Sequence, residues 1–224
     1  MINFNKISKV VIPEGEVVKI QNGSGKSVWE KSYVYTLISN GSQVIDTGVY
    51  CTENMSCEIK IAWTSIPTTA TYIGAIQYKS GNYLRCHFQC AKLNNNWLIG
   101  FWQDSPTLGN AVSVPYDTEP HVLTYSAKDL TVGIDGNTAT HGNTPPPSGC
   151  TFYLFDRNVK GFTANAEAGK CKVYYAKFWE NGELIRDFIP RLDPSGKLGL
   201  FDLVNEQFYF DLNGKGFNYE ALSY

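Results

Sequence analysis

The chain has 224 residues, of which 43% are hydrophobic and 14% aromatic against 18% charged, a balance that favours one main two-layer domain built from β-strands. A formal net charge of −2 with scattered lysines excludes nucleic acid as an expected partner, because no basic surface is available for phosphates. No segment has the apolar length of a signal-peptide core or a membrane span, so we expect a soluble protein that does not insert into membranes and is not exported by the signal-peptide route.

Residues 1–31 differ from the rest of the chain and predict a short N-terminal β-hairpin module. Turn-forming residues cluster at 13–15 and 22–25, between short runs that are rich in β-branched residues. The main domain is then formed by residues 32–224.

The clearest strand of the main domain is Cys57 to Trp63, where apolar residues alternate with Glu58, Lys60 and Ala62, as in a strand with one buried face. Further strands are predicted at 71–77, 82–89, 97–103, 121–125, 130–134 and 151–155. Turn residues separate them, and Asp135–Gly136 favours a tight hairpin. The spacing is that of a meander or a jelly roll.

The segment 170–217 begins with a strand whose two faces are both apolar in the sequence pattern. Tyr174, Ala176 and Phe178 alternate with Val173, Tyr175 and Trp179. We therefore expect a strand that is covered on both sides. Asn181–Gly182 predicts a type I′ turn into a strand at 184–190, and no convincing amphipathic helix is found.

Four phrases carry a family resemblance: VIDTG at 44–48, LTVGIDGN at 130–137, TFYLFDRN at 151–158 and RDFIPRLDPSGKLGLFDLVNEQFY at 186–209. With them, residues 33–218 resemble the concanavalin A-like (LamG-like) domains of phage and prophage tail proteins. Residues 22–31 resemble the short module that precedes such domains, and this resemblance implies that the N-terminal module serves in attachment or packing. The resemblance implies an all-β jelly-roll sandwich in a virion tail, although the loop at 145–147 and the strand at 97–102 match no phrase of the family.

Six cysteines lie at positions 51, 57, 86, 90, 150 and 171. Cys86 and Cys90 lie on one predicted strand, about 13 Å apart by the strand rise, which is too far for a bond between them. We expect small buried thiols in a chain made in the reducing cytoplasm of a bacterial host. A redox or metal role is the alternative, but no cysteine or histidine set has zinc spacing.

Catalytic residues are not expected. The acid pairs near strands are Glu180 with Glu183 and Asp202 with Glu206, and they fall at turns or strand ends instead of lying two apart on one strand face. The three histidines, His87, His121 and His141, accompany no nucleophile elbow.

Loop oxygens raise the question of a calcium site. Candidate donors are Asp135, Asn137, Asp156 and Asn158, but turn-stabilising roles explain them equally well. We therefore predict neither a metal nor a cofactor. Arg186 and Asp187 of the RDFIP phrase are interpreted as residues that stabilise the fold.

Carbohydrate binding needs exposed aromatic rings beside polar groups. If Leu84, Cys86 and Phe88 pack inward, the opposite face of their strand is available to a ligand. The predicted ligand-binding residues are Tyr83, Arg85, His87 and Gln89 on that face, with Trp102, Gln103 and Asp104 on the neighbouring strand. A subunit interface explains the same residue types about equally well.

The resemblance implies a non-enzymatic structural and adhesion protein of a phage or prophage tail fibre, tip or baseplate. Its sandwich is expected to bind host-surface glycan or a neighbouring virion protein during host attachment. The resemblance also suggests a homotrimer, which no coiled coil in the sequence enforces. The alternatives are a bacterial carbohydrate-active enzyme or its carbohydrate-binding accessory module, and a virion decoration protein without ligand.

Overall fold

A computed structural model describes residues 20–21, 27–28, 35–64, 71–79, 82–93, 96–102, 112–115, 117–140, 149–159, 162–163 and 170–221. These residues form strands, turns and bends and no helix, and therefore no helix that could cross a membrane. The all-β class predicted from composition is confirmed.

The strands, in chain order, are β1 (Ile20–Gln21), β2 (Ser27–Val28), β3 (Tyr35–Ile38), β4 (Ile45–Tyr50), β5 (Met55–Trp63), β6 (Thr71–Lys79), β7 (Asn82–Leu93), β8 (Asn96–Trp102), β9 (Val112–Pro115), β10 (His121–Ser126), β11 (Thr131–Ile134), β12 (Asn137–Thr140), β13 (Thr151–Leu154), β14 (Arg157–Val159), β15 (Phe162–Thr163), β16 (Cys171–Glu180), β17 (Glu183–Leu192), β18 (Leu198–Asp202), β19 (Gln207–Tyr209) and β20 (Asn218–Ala221).

Two large sheets account for most of these strands. Among the described residues, the larger sheet has the order β12-β11-β10-β5-β16-β17-β18-β19, and β3 joins β16 to β20 beside it. The smaller sheet has the order β15-β14-β6-β7-β8-β9, with β13 pairing both β6 and β4. The pair β14–β6 is parallel, whereas β5, β10, β16 and β17 form an antiparallel centre. Strands β1 and β2 form a separate antiparallel pair within the predicted N-terminal module.

The hydrophobic core contains buried residues of both sheets, as expected for a β-sandwich. Phe152 of the smaller sheet packs edge-on against Phe178 of the larger one, with ring centroids 5.3 Å apart, and also contacts Phe88 at 6.5 Å. Along β5 the predicted alternation is confirmed from Cys57 to Ile61, because Ile59 and Ile61 are fully buried while Lys60 between them is half-buried, whereas Ala62, predicted to alternate with them, is buried as well.

Both predicted two-residue hairpin turns have the backbone that a type I′ turn requires. Asp135 and Gly136 have φ of 50° and 80°, and Asn181 and Gly182 have φ of 54° and 81°. A glycine at the second position adopts positive φ without steric cost, and aspartate or asparagine tolerates it at the first. These turns connect β11 to β12 and β16 to β17.

The prediction that β16 alternates regularly is wrong. A β-bulge between Val173 and Tyr175 adds one residue opposite β5, so that Val173, Ala176 and Phe178 all face the core. Tyr174 and Tyr175 are both half-buried. One face of β16 is therefore core and the other is a mixed aromatic and charged surface.

The prediction that all cysteines are free thiols is also wrong. Cys57, Cys150 and Cys171 are free and buried, as expected, but the fully buried Cys51 is disulfide-bonded to a cysteine outside the described side chains. The spacing along one predicted strand excludes a bond between Cys86 and Cys90 alone. Sequence spacing does not show which cysteines of distant segments the fold brings within bonding distance.

Arg186 links the RDFIP segment to the VIDTG segment, as expected of a residue that stabilises the fold. Its Nε donates to the carbonyl of Thr47 at 3.3 Å and lies 3.5 Å from Oδ2 of the fully buried Asp202. The other carboxylate oxygen of Asp202 accepts the backbone amides of Asp187 and Val204. These phrases therefore meet in space and hold β4 against β17 and β18.

Candidate functional site

The predicted ligand-binding residues lie on two adjacent strands of the smaller sheet. Tyr83, Arg85, His87 and Gln89 belong to β7, and Trp102 ends β8 as the cross-strand partner of His87. His87 is only 2% exposed, and the next residue, Phe88, is fully buried, so both faces of β7 are covered at this point. His87 therefore does not present its ring to solvent as the outer-face pattern requires.

The rest of the predicted site stays a prediction. Gln103 and Asp104 lie outside the described residues, as do the side chains of Tyr83, Arg85, Gln89 and Trp102. The described side chains instead assemble a second aromatic surface, on the larger sheet. We call it the tyrosine face and define it by Glu58, Lys60, Tyr174, Tyr175 and Lys177.

The β-bulge of β16 creates the tyrosine face. Lys60 points away from the core because it lies between the buried Ile59 and Ile61, and it is the cross-strand partner of Tyr175. Its Nζ lies 5.4 Å from the ring centroid of Tyr174. Both tyrosines therefore lie on the outer side of the sheet. Tyr174 is the extra residue of the bulge, and Tyr175 pairs with the outward-facing Lys60.

Each tyrosine ring has a lysine beside it. Lys177 Nζ lies 5.3 Å from the ring centroid of Tyr175, which matches the Lys60–Tyr174 distance within 0.1 Å. A cation–π contact at a partly exposed site contributes about 0.5–1 kcal/mol. These contacts orient the tyrosine rings and place ammonium and phenol groups on the outer side of the sheet.

The charges around the tyrosine face are balanced. Lys177 is the cross-strand partner of Glu58 on one side and of Asp187 on the other. Beyond the bulge, Lys172 donates to Glu220 at 2.6 Å. The face thus offers rings and hydrogen-bonding groups without a strong field of one sign.

Burial raises the pKa of the Tyr174 phenol, and the nearby carboxylates of Glu220 and Glu119 act in the same direction while Lys172 opposes them. The phenol is therefore neutral around neutral pH. It can both donate and accept a hydrogen bond.

A second aromatic group, which we call the aromatic ladder, lies on the same side of the sheet at β17–β19. Its members in order are Arg191, Phe201, Phe208, Phe210 and Lys197, with successive distances of 5.3, 4.9, 5.7 and 4.1 Å. The rings of Phe208 and Phe210 are parallel to within 7°. Each ring of the ladder is used by its neighbours, so the ladder is a packing device.

His121 is the described histidine with the strongest polar surroundings. Its Nδ1 lies 2.5 Å from Asp135 Oδ2 and its Nε2 lies 2.9 Å from Asp117 Oδ1. With both ring nitrogens engaged by carboxylates, His121 has no nitrogen left to activate a nucleophile.

Glu180, Asp202 and Asp156 have structural partners. Both carboxylate oxygens of Glu180 lie within 2.8 Å of the Thr52 hydroxyl, and Asp202 is fully buried beside Arg186. Asp156 Oδ1 accepts the amide of Arg157, and the Asn158 amide donates to Thr151. Within the described ranges, no group of three or more histidine, cysteine or acidic residues is arranged to hold a metal ion.

The buried thiols are poor nucleophiles. Burial raises the pKa of Cys171 to about 12, and burial together with Glu58 raises the pKa of Cys57 further. Since the thiolate is the reactive form, both cysteines are inert in the folded protein.

Comparison of the chain with protein-family models, with curated proteins and with solved structures finds no match.

Sequence reasoning missed the tyrosine face because it treated β16 as regular. The sequence Val-Tyr-Tyr-Ala at 173–176 is compatible with two structures. It fits a regular strand whose tyrosines point to opposite faces, and it fits a bulge that places both tyrosines on one face. Only the pairing of β16 with β5, in which Val173 lies opposite Ile61 and Tyr175 opposite Lys60, decides between them.

Proposed function

We propose that the chain is a non-enzymatic structural and adhesion protein of a phage or prophage tail. Its sandwich has the concanavalin A-like (LamG-like) jelly-roll topology and binds host-surface glycan during attachment. The family resemblance of residues 33–218 and the two-sheet architecture support this proposal. Copies repeated on a virion would let weak single sites add up to useful avidity.

The observation that carries the proposal is the tyrosine face. Tyr174 and Tyr175 combine an apolar ring with a hydroxyl, which suits the C–H faces and hydroxyls of a sugar. Lys60, Lys177 and Glu58 lie around the rings and supply further donors and acceptors. Because the charges are balanced, the proposed ligand is an uncharged polysaccharide segment.

The test is to display the purified protein in multivalent form on an array of bacterial surface glycans. We expect binding to neutral polysaccharides that persists at high salt, because stacking and hydrogen bonding to neutral groups are screened little. Failure to bind in any oligomeric form would remove the adhesion proposal and leave a virion structural protein.

A second candidate function is contact with a neighbouring virion protein that is a further copy of this chain, through the same face. Half-buried tyrosines and tryptophans are enriched in interfaces, and Trp179 at the end of β16 extends the aromatic surface. This alternative predicts that Tyr174→Ser and Tyr175→Ser change the oligomeric state measured by light scattering. The glycan proposal predicts an unchanged oligomeric state.

A further inference from the structure

His121 joins three segments at the start of β10, at one end of the strands of the larger sheet. Asp117 comes from the loop before β10, His121 begins β10, and Asp135 lies in the β11–β12 turn. Asp135 is held twice more, because its Oδ1 accepts the Val122 amide at 2.8 Å and its own amide donates to the Val122 carbonyl at 3.0 Å. The imidazole contacts both carboxylates.

The geometry suits a doubly protonated ring between two ionised carboxylates. A neutral imidazole has one N–H donor and one acceptor nitrogen, and an ionised carboxylate can only accept. One of the two short contacts would therefore become repulsive if the ring lost a proton. We propose that His121 is a protonation-dependent tie that fastens the loop before β10 and the β11–β12 turn to the first residue of β10.

The surroundings of the ring favour this role. The His121 side chain is 8% exposed and lies against Trp63, with ring centroids 5.9 Å apart. Other titratable groups on the described elements around it are Glu119 in the loop, Tyr125 on β10, Cys57, Glu58 and Lys60 on β5, and Cys171, Lys172, Tyr174 and Tyr175 on β16. Lys60 is directed to the tyrosine face, and the buried thiols of Cys57 and Cys171 are neutral.

The direction of the pH dependence follows from these contacts. Partial burial alone lowers the pKa of His121, but its bonds to Asp135 and Asp117 and their charges outweigh burial and raise the pKa above its usual value. At Asp117 burial alone raises the pKa of the carboxyl group, but the hydrogen bond from the Glu119 amide and the bond and charge of His121 lower the pKa below its usual value. The tie is therefore complete between roughly pH 4 and 6.5, and it is lost as pH rises through the folded-state pKa of His121.

The first test is an NMR titration of the His121 ring nitrogens in the full chain. We expect both N–H groups to persist above about pH 6.5, the ordinary histidine value, and Asp135→Asn to lower the titration point. That variant keeps an amide oxygen to accept the Val122 amide. A ring that is already neutral at about pH 6, or a titration that Asp135→Asn does not change, would overturn the proposal.

The second test compares the stability of the wild type and His121→Gln by urea unfolding across pH. The advantage of the wild type should decrease as pH rises, with about a tenfold change in the folding constant for each unit by which the His121 pKa is raised. An advantage that is constant or grows with pH would contradict the tie. If His121→Gln does not fold, Asp117→Asn gives the same comparison in a loop residue. Both tests stand without the proposed glycan function.

Discussion

Arg186 shows how one side chain can connect distant phrases of a sequence. It satisfies the Ile185 carbonyl at 2.7 Å and the Thr47 carbonyl at 3.3 Å while lying beside the fully buried carboxylate of Asp202. An arginine can do this because its planar guanidinium presents donors in several directions. A lysine at this position could not reach both carbonyls and Asp202 together.

We expect Arg186→Met to destabilise the protein by about 3 kcal/mol, because removing one partner leaves a buried charge unpaired. Urea unfolding measures this loss. Lys128→Met, which removes an exposed lysine in the turn after β10, serves as the control and should change stability by less than about 0.5 kcal/mol. Equal stabilities of the two variants would show that Arg186 does not stabilise Asp202.

At the scale of elements, the aromatic ladder stabilises β18 and the edge strand β19. The edge strand β19 has only three residues, so its backbone bonds to β18 are few. The ladder adds side-chain packing on the outer face, from Arg191 to Lys197. It also requires Gly199 in β18, because a Cβ there would lie 2.7 Å from the Tyr209 carbonyl oxygen and 2.8 Å from the Phe210 ring.

Gly199→Ala should therefore destabilise the chain by about 1–3 kcal/mol through overpacking against backbone that cannot move freely. The thermal unfolding midpoint measures the change. Val204→Thr in the adjoining turn is the matched control, since Val204 is 43% exposed and should tolerate the substitution. An unchanged midpoint for Gly199→Ala would mean that the β18–β19 edge is looser than the ladder requires.

Elements were predictable from sequence where local chemistry decides them. The alternation of β5 and the Asp-Gly and Asn-Gly turns gave correct strands and hairpins, because period and positive φ are local properties. The bulge in β16 was not predictable, since an extra residue is defined only against the partner strand. The disulfide of Cys51 and the burial of His87 likewise depend on contacts between distant segments.

At the scale of the whole molecule, Asp211 closes the domain by joining its first and last segments. Its carboxylate accepts the amides of Val44, Asn213, Lys215 and Gly216. The same contact region includes the bond from Gln43 Nε2 to the Gly216 carbonyl and the bond from the Leu212 amide to the Val44 carbonyl. Residues separated by most of the chain are thus held together at one end of the sandwich.

Asp211→Ala should lower the free energy of unfolding by at least about 2 kcal/mol, because hydrogen bonds to a charged acceptor are among the stronger ones. Asp211→Asn should lose less, since its amide oxygen can still accept from Val44 and Asn213. Urea unfolding of the three proteins tests the order wild type, Asp211→Asn, Asp211→Ala. If Asp211→Ala were as stable as Asp211→Asn, the proposed role of the Asp211 carboxylate in joining the two segments would be contradicted.

At the same scale, we propose that the tyrosine face is the glycan-binding surface of the molecule. The most direct measurement compares the glycan-array signal of the wild type with that of the double variant Tyr174→Ser, Tyr175→Ser, with Tyr50→Ser as the control because Tyr50 is an exposed tyrosine of the smaller sheet. We predict that the double variant, folded by circular dichroism, loses at least about tenfold in binding, the equivalent of about 1.4 kcal/mol, while Tyr50→Ser binds as the wild type does. Full binding by the double variant would contradict the claim and return attention to Tyr83, Arg85 and Trp102 on the smaller sheet.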